Sequence, residues 1–443
     1  MNTPICDFVR GYLSRDPVRL HMPGHKGMPV LGCEPMDITE IDGADNLYAP
    51  DGIVAQSEEN ASRLFGCRTY YSAEGSSLCI RAMLLLARQY TGRSVVLAAR
   101  NIHKAFLSAA ALLDLDVRWL HPQPDEAYPC CTVTPTVVEN ALLSVKPCAV
   151  YLTAPDYLGG SADIAGIAQI CRKHGVLLLV DNAHGAYLHF LPQPCHPMDL
   201  GADMCCDSAH KTLPVLTGGA YLHISPQLGI SAKQVKDALA LFGSTSPSYL
   251  ILQSLDRANV YLESYPDRLA AFLPRVRALC ETLTAHGYTL CSDEPLKLTI
   301  RAKPFGYTGD ALAEILMREN IFCELHDTDH LVCMLAPENG GDLQRLQNAL
   351  LRIPRRTPLT DTPPAYRALP QDVSVRKACL SPQETLPTEA CVGRIAAGIT
   401  AACPPAVPVV VCGERIDADA AERLAYYGVH TCTVLCENNA DAQ

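Results

Sequence analysis

Residues 149–181 read AVYLTAPDYLGGSADIAGIAQICRKHGVLLLVD. The first five, Ala149–Thr153, form an apolar run of strand length. Within Ser161–His174, Ile164, Ile167, Ala168 and Cys171 recur at i, i+3, i+4 and i+7. That spacing sets them on one helix face, and Gly175 is a ready stop. Val176–Val180 is a second run, apolar at every position. A strand apolar throughout has both faces covered, as in a parallel sheet packed between helices. The stretch predicts a βαβ unit and an α/β fold with a mainly parallel central sheet.

Working outward, strands are expected at Val95–Ala98, Met204–Cys206 and Ala220–Ile224, and an apolar helix at Leu78–Tyr90. Thr136 and Glu139 have the spacing of a capping box, with Val138, Leu142 and Val145 on one helix face. Residues 36–260 therefore read as a large domain. Residues 1–35 are rich in proline and glycine, with LHMPGHKG at 20–27, and read as an irregular arm. Residues 261–355 change texture. Helices at Arg268–His286, Thr308–Glu319 and Gly341–Arg352, with strands at Lys297–Arg301 and Leu331–Leu335, predict a small α+β domain. Residues 356–443 open as a proline-rich linker and end as a short C-terminal domain.

Composition excludes several function classes. A chain of 443 residues is too long for one core. With 48% hydrophobic and 19% charged residues it is not a disordered chain. The net charge is −11, and no long Lys/Arg cluster suits nucleic acid or an anionic membrane. No apolar run approaches the ~20 residues of a membrane span. The opening MNTPICDFVR lacks the basic-then-apolar pattern of a secretory leader. The 21 cysteines are scattered and form no CxxC pair. They read as reduced thiols of a cytoplasmic protein, and no metal site is expected.

Four features stand at expected strand ends or helix starts, where open α/β sheets place ligands. Gly75, Ser76 and Ser77 precede the helix from Leu78. Free N–H groups and hydroxyls there suit a phosphate, although an ordinary helix cap looks similar. Asp181 ends the buried run VLLLV, as a structural cap or as the partner of a protonated ring nitrogen. Lys211 lies in Asp207-Ser208-Ala209-His210-Lys211-Thr212, after the strand ending at Cys206. A partly buried lysine there can form an imine. His103, in Arg100-Asn101-Ile102-His103-Lys104, reads as a core histidine or as a ring stacked on a flat cofactor. A phosphate cradle, then a strand-end Asp, then a Lys 30 residues later is the order expected for pyridoxal 5′-phosphate (PLP).

The chain resembles the prokaryotic ornithine/lysine/arginine decarboxylases, a branch of the fold type I PLP enzymes. The resemblance rests on His21-Met22-Pro23-Gly24-His25-Lys26-Gly27, Asp37-Ile38-Thr39-Glu40, Asp45-Asn46-Leu47 and Arg100-Asn101-x-His103-Lys104. It also rests on Asp181-Asn182-Ala183-His184-Gly185 and, most specifically, Ser208-Ala209-His210-Lys211-Thr212-Leu213-Pro214. Pro404-Pro405-x-x-Pro408 with Gly413-Glu414 looks like the family's tail domain. The resemblance implies that Lys211 carries the cofactor as an imine and that Asp181 pairs with the pyridine nitrogen. Ala183 would pack under the ring and His103 over it. Gly75, Ser76 and Ser77 would hold the phosphate, helped by Ser208 and His210. His184 would lie near the cofactor's 3-hydroxyl or the substrate carboxylate. Thr245 and Ser246, in Ser244-Thr245-Ser246-Pro247, match a segment that in relatives reaches a neighbouring subunit's phosphate, which implies at least a homodimer. The early position of the PGHK motif implies a short form without the N-terminal wing domain. Tyr48 stands where relatives often have His, and Gly218-Gly219 where Gln-Gly is more usual.

The implied reaction is decarboxylation of arginine, lysine or ornithine, with Lys211, His184 and Asp181 as the catalytic set. A cationic substrate tail calls for a carboxylate, and the candidates are Asp45, Glu40, Asp156 and Glu414. The same scaffold serves aminotransferases and lyases, which form the alternative reading. A catalytically silent binding protein is the alternative from another class, and the Asp181/Lys211 pair speaks against it.

Overall fold

In the computed structural model, which describes residues 1–123, 126, 128–399 and 407–437, Ala149–Thr153 and Leu177–Asp181 are strands and Ile164–His174 is a helix. The helix opens three residues later than expected. Asp163 accepts the Gly166 N–H at 2.8 Å and so caps it. The helix expected from Thr136 and Glu139 opens earlier, at Pro135. Its cap is Thr134, whose hydroxyl accepts the Val137 N–H at 3.3 Å. Proline fits the first helical turn because its missing N–H would have no partner there.

The chain is an α/β protein with a large, mainly parallel sheet and two smaller sheets. It divides into two compact units. The first comprises residues 1–93 and 167–269. Its strands run in the order Arg68–Ser72, Ala220–Ile224, Met204–Asp207 and Leu177–Asp181. The last two are parallel, and the other pairings are antiparallel. Every residue of the last three strands is buried. The helix Gly75–Thr91 packs on them through a buried face that includes Leu78, Ile80, Met83 and Leu84.

The segment read as an irregular arm is regular at its start. Pro4–Leu13 is a helix that buries Ile5 and Val9 against the helices Ile53–Phe65 and Tyr249–Glu263. Its Cys6 N–H donates to the buried Asp256 carboxylate at 3.0 Å. Two aliphatic anchors one turn apart are too few to stand out as a periodic pattern. Beyond it, turns and bends run to Cys33, with Leu20 and Leu31 exposed.

The second unit comprises residues 94–166 and 270–443. It carries the parallel strands Ala149–Thr153, Val95–Ala99 and Asp116–Leu120, in that order. A four-stranded antiparallel sheet runs Leu325–His326, His330–Met334, Lys297–Arg301, Thr289–Leu290. A two-stranded sheet pairs Gln383–Pro387 with Thr431–Leu435, over a cluster that includes Val410, Ile416, Leu424 and Val434. Pro404 and Pro405 lie outside the described residues. Among the described residues no helix is long and apolar enough to cross a membrane.

Candidate active site

The first unit gathers most of the expected site residues. Two parallel strands end side by side, Leu177–Asp181 at Asp181 and Met204–Asp207 just before Ser208. Asp181 is buried, and its Oδ1 accepts the Ala183 N–H at 3.2 Å and the Cys206 thiol at 3.7 Å. The chain then turns through Asn182, Ala183 and His184, all buried. From the second strand, a single helical turn, Ala209–Thr212, carries Lys211. Its Nζ lies 3.1 Å from Nε2 of His184. Only one proton can lie between these nitrogens, so each sets the protonation of the other.

The cradle is built at the start of the helix Gly75–Thr91. No side chain caps this helix. The first-turn N–H groups after Gly75 therefore keep the anion-binding character of a helix start. Gly75 adopts φ +69°, a left-handed conformation that favours glycine. Its N–H donates to the Gly218 carbonyl at 2.7 Å. The Ser208 hydroxyl donates to the Ser76 hydroxyl at 2.8 Å. The Gly219 carbonyl accepts both the His210 N–H, at 3.1 Å, and His210 Nδ1, at 2.9 Å. The Gly218-Gly219 turn thus ties the cradle to the Lys211 turn. Gly218 holds φ +99°, and a Cβ there would stand 3.0 Å from the Ala73 carbonyl oxygen. The Gly218 departure therefore suits a tight turn.

A lysine amine, a buried strand-end carboxylate and hydroxyls at an uncapped helix start are the donor set that PLP requires. These residues fit the cofactor. Lys211 would carry it, Asp181 would hold its ring nitrogen, and Ser76, Ser77 and Ser208 would hold its phosphate. Thr245 and Ser246 are exposed on a turn whose Ser244 N–H donates to Glu74, the residue preceding the helix, at 2.5 Å.

His103 belongs to the second unit, where it caps the helix Lys104–Leu113. Its Nδ1 accepts the Ala105 N–H at 3.2 Å. Arg100, three residues earlier, forms a buried ion pair with Glu414 at 2.9 Å. Glu414 also accepts the Val411 N–H at 2.7 Å. Both oxygens of Asp45 are committed to backbone. Oδ1 takes the N–H groups of Asn46 and Asp51, and Oδ2 those of Gly52, Val54 and Ala55. Asp156 Oδ1 takes the N–H groups of Leu158 and Gly160. Three of the four substrate-carboxylate candidates are thus engaged in holding the chain. Glu40 is exposed.

One buried cluster escaped the sequence reading. Asp207 is fully buried and accepts from His196 Nε2 at 3.1 Å, His223 Nε2 at 3.0 Å and Asn182 Nδ2 at 2.7 Å. Burial favours its neutral form, but the His196 and His223 rings outweigh burial and hold the carboxyl well below the ordinary range. The three side chains are close enough to ligate a metal. His196 Nδ1, however, accepts the Met198 N–H at 3.3 Å, which puts the ring proton on Nε2, facing Asp207. The cluster is a hydrogen-bonded carboxylate beneath the Asp181–His184 turn. Its sequence signal was a histidine inside the apolar strand Ala220–Ile224.

Comparison with known proteins bears on this site. The family model described as Orn/Lys/Arg decarboxylase, major domain, matches residues 3–272. The Bacillus subtilis protein YaaO, whose function is uncharacterized, is 31% identical over 460 residues, covering 96% of this chain and 94% of its own length. An arginine decarboxylase of Halalkalibacterium halodurans is 29% identical over 463 residues, covering 94% and 91%. The constitutive lysine decarboxylase of Escherichia coli superposes with a TM-score of 0.75 at 18% identity, over 98% of this chain and 82% of that one. At that identity the likeness shows the fold, which is that of the fold type I PLP decarboxylases.

Proposed function

Because the chain belongs to the Orn/Lys/Arg decarboxylase family, and is a PLP-dependent amino-acid decarboxylase, we propose that it converts arginine to agmatine and CO₂. Arginine is favoured over lysine and ornithine by the relatives of about 29% identity named arginine decarboxylase. The observation that carries the assignment of this site is the approach of Lys211 Nζ to His184 Nε2 beside Asp181.

Bound PLP supplies an electron sink for the bond between Cα and the carboxylate. The chain's residues do the rest. Asp181, buried at its strand end, would hold a proton on the ring nitrogen. Ser76, Ser77, Ser208 and the helix start would anchor the phosphate. His184 passes a proton to and from Lys211 Nζ, and one of the two delivers a proton to Cα after CO₂ departs. Glu40, exposed in the same unit, is the candidate for the cationic tail.

The proposal includes a homodimer in which the exposed Thr245 and Ser246 reach a neighbouring phosphate site. It also includes a cytoplasmic role in amine and polyamine supply, consistent with free cysteines throughout the described residues. The test is a product assay with arginine, lysine and ornithine offered separately, amines and keto acids being identified by mass. Agmatine as the dominant product, lost in Lys211→Ala, supports the reading. Cadaverine or putrescine instead reassigns the substrate, and a keto acid reassigns the reaction to transamination.

A further inference from the structure

We propose that Cys379 and Cys412 form a redox-sensitive thiol pair that hydrogen peroxide converts to an intramolecular disulfide. Their sulfurs lie 3.4 Å apart, in contact, although 33 residues separate them in sequence. Cys379 is on the short helix Val375–Leu380 and is partly exposed, whereas Cys412 is buried. The Cys379 thiol donates to the Cys412 sulfur. Once one proton leaves the pair the sulfurs share the other, which lowers the pKa of Cys379, and this sharing together with burial raises that of Cys412. Of the two, the partly exposed Cys379 is the sulfur that peroxide can reach, and the buried Cys412 stands behind it as the resolving thiol.

This division of labour is the one that disulfide formation needs. The Cys379 thiolate attacks peroxide, giving a sulfenic acid and hydroxide. The Cys412 sulfur then attacks the Cys379 sulfur and expels its hydroxyl as water, forming the S–S bond. The Cys412 proton leaves with that hydroxyl, and the proton first lost by Cys379 neutralises the hydroxide. In balance, two thiols and one peroxide give one disulfide and two waters. Closing from 3.4 Å to a bond of about 2.05 Å asks for a movement within the reach of side-chain rotation.

The position gives the bond something to fasten. Arg376, on the Cys379 helix, donates to the carbonyls of Ala111 and Leu112, at the end of the helix that His103 caps. Cys412 precedes Gly413 and Glu414, and Glu414 holds Arg100. A disulfide would join the two segments that brace the Arg100–His103 turn. A second contact pair, Cys323 and Cys333 at 3.5 Å, lies within one hairpin already paired by Leu325–His326, so its closure adds little constraint.

The test treats the full-length wild-type protein with hydrogen peroxide, blocks free thiols, and maps disulfides by mass spectrometry without reduction. Trypsin leaves Cys379 with Cys391 and Cys412 with Cys403, so fragment ions must assign the linked sulfurs. The expected result is a Cys379–Cys412 link, two hydrogens lighter than the dithiol, reversed by dithiothreitol and absent from Cys379→Ser. In Cys412→Ser, which lacks the resolving thiol, dimedone should trap the sulfenic acid on Cys379. Recovery of Cys379 as a free thiol, its over-oxidation without a link, or a link only between chains would overturn the proposal.

Discussion

Lys211 Nζ and His184 Nε2 lie 3.1 Å apart, across two strand ends 27 residues distant in sequence. A lysine that must take and release a proton needs such a partner, and an imidazole changes charge near neutral pH. Lys211→Ala should abolish amine formation, and borohydride should no longer fix a pyridoxyl group to the chain. His184→Gln should retain cofactor and lose kcat by about 100-fold, the lower range for a proton-transfer group. Steady-state kinetics beside an absorbance titration of bound PLP separate the two. A His184→Gln protein with normal kcat would remove His184 from the chemistry.

Asp45 and Glu40 divide the remaining question of the substrate tail. Asp45 sits at φ +70° and spends both oxygens on backbone N–H groups at the start of the helix Ile53–Phe65. Asparagine tolerates that backbone conformation but keeps one acceptor oxygen. Asp45→Asn should cost about 1 kcal/mol of stability, as lost helix caps do, with KM for arginine within twofold of wild type. Glu40→Gln should do the reverse, raising KM about tenfold, a change of about 1.4 kcal/mol, at unchanged thermal stability. A large KM effect in Asp45→Asn would return that residue to the recognition site.

The difference between these residues also shows what was legible in the sequence. The positions of Asp181 and Lys211 could be read because each stands at or just beyond the end of a run that burial makes apolar. Gly75–Ser77 were expected as a turn before an apolar helix at Leu78, and the structure makes them that helix's first turn. Asp45 could not be read this way. Its distant partners, Asp51, Gly52, Val54 and Ala55, lie where a turn enters the helix Ile53–Phe65, a path that no hydrophobic period encodes. His196 was equally hidden, since its partner Asp207 is reached only through the folded chain. Arg100 and Glu414, 314 residues apart, were noticed separately and met only in the structure.

That meeting has a consequence for stability. Arg100 and Glu414 are almost fully buried, and Arg100 also donates to the Pro408 carbonyl at 3.1 Å. Glu414→Gln leaves a buried guanidinium with its charge uncompensated, at a cost of about 3–5 kcal/mol. Replacing both, as Arg100→Met with Glu414→Leu, should recover much of that loss, because no charge remains to be compensated. Urea unfolding of the single and double variants measures the coupling. Equal stability of the Glu414→Gln variant and the wild type would show that solvent reaches the pair.

Asp207 carries the clearest dependence on acid. Its folded pKa lies below that of an ordinary carboxylate, because the His196 and His223 rings outweigh burial. A group with a depressed folded pKa stabilises the fold at pH values above its unfolded pKa, about 3.9. As pH falls below that value the unfolded chain takes up a proton that the folded chain refuses, and the stabilisation is lost. Asp207→Asn removes this term, so the variant should be weaker than wild type by about 3 kcal/mol near pH 7. The part of the gap that comes from the carboxylate should shrink below about pH 4. Urea midpoints taken from pH 7 to pH 3 measure it. A gap that instead widens below pH 4 would mean that Asp207 is protonated in the folded protein and that the imidazoles, not the carboxylate, hold the Asn182 turn in place.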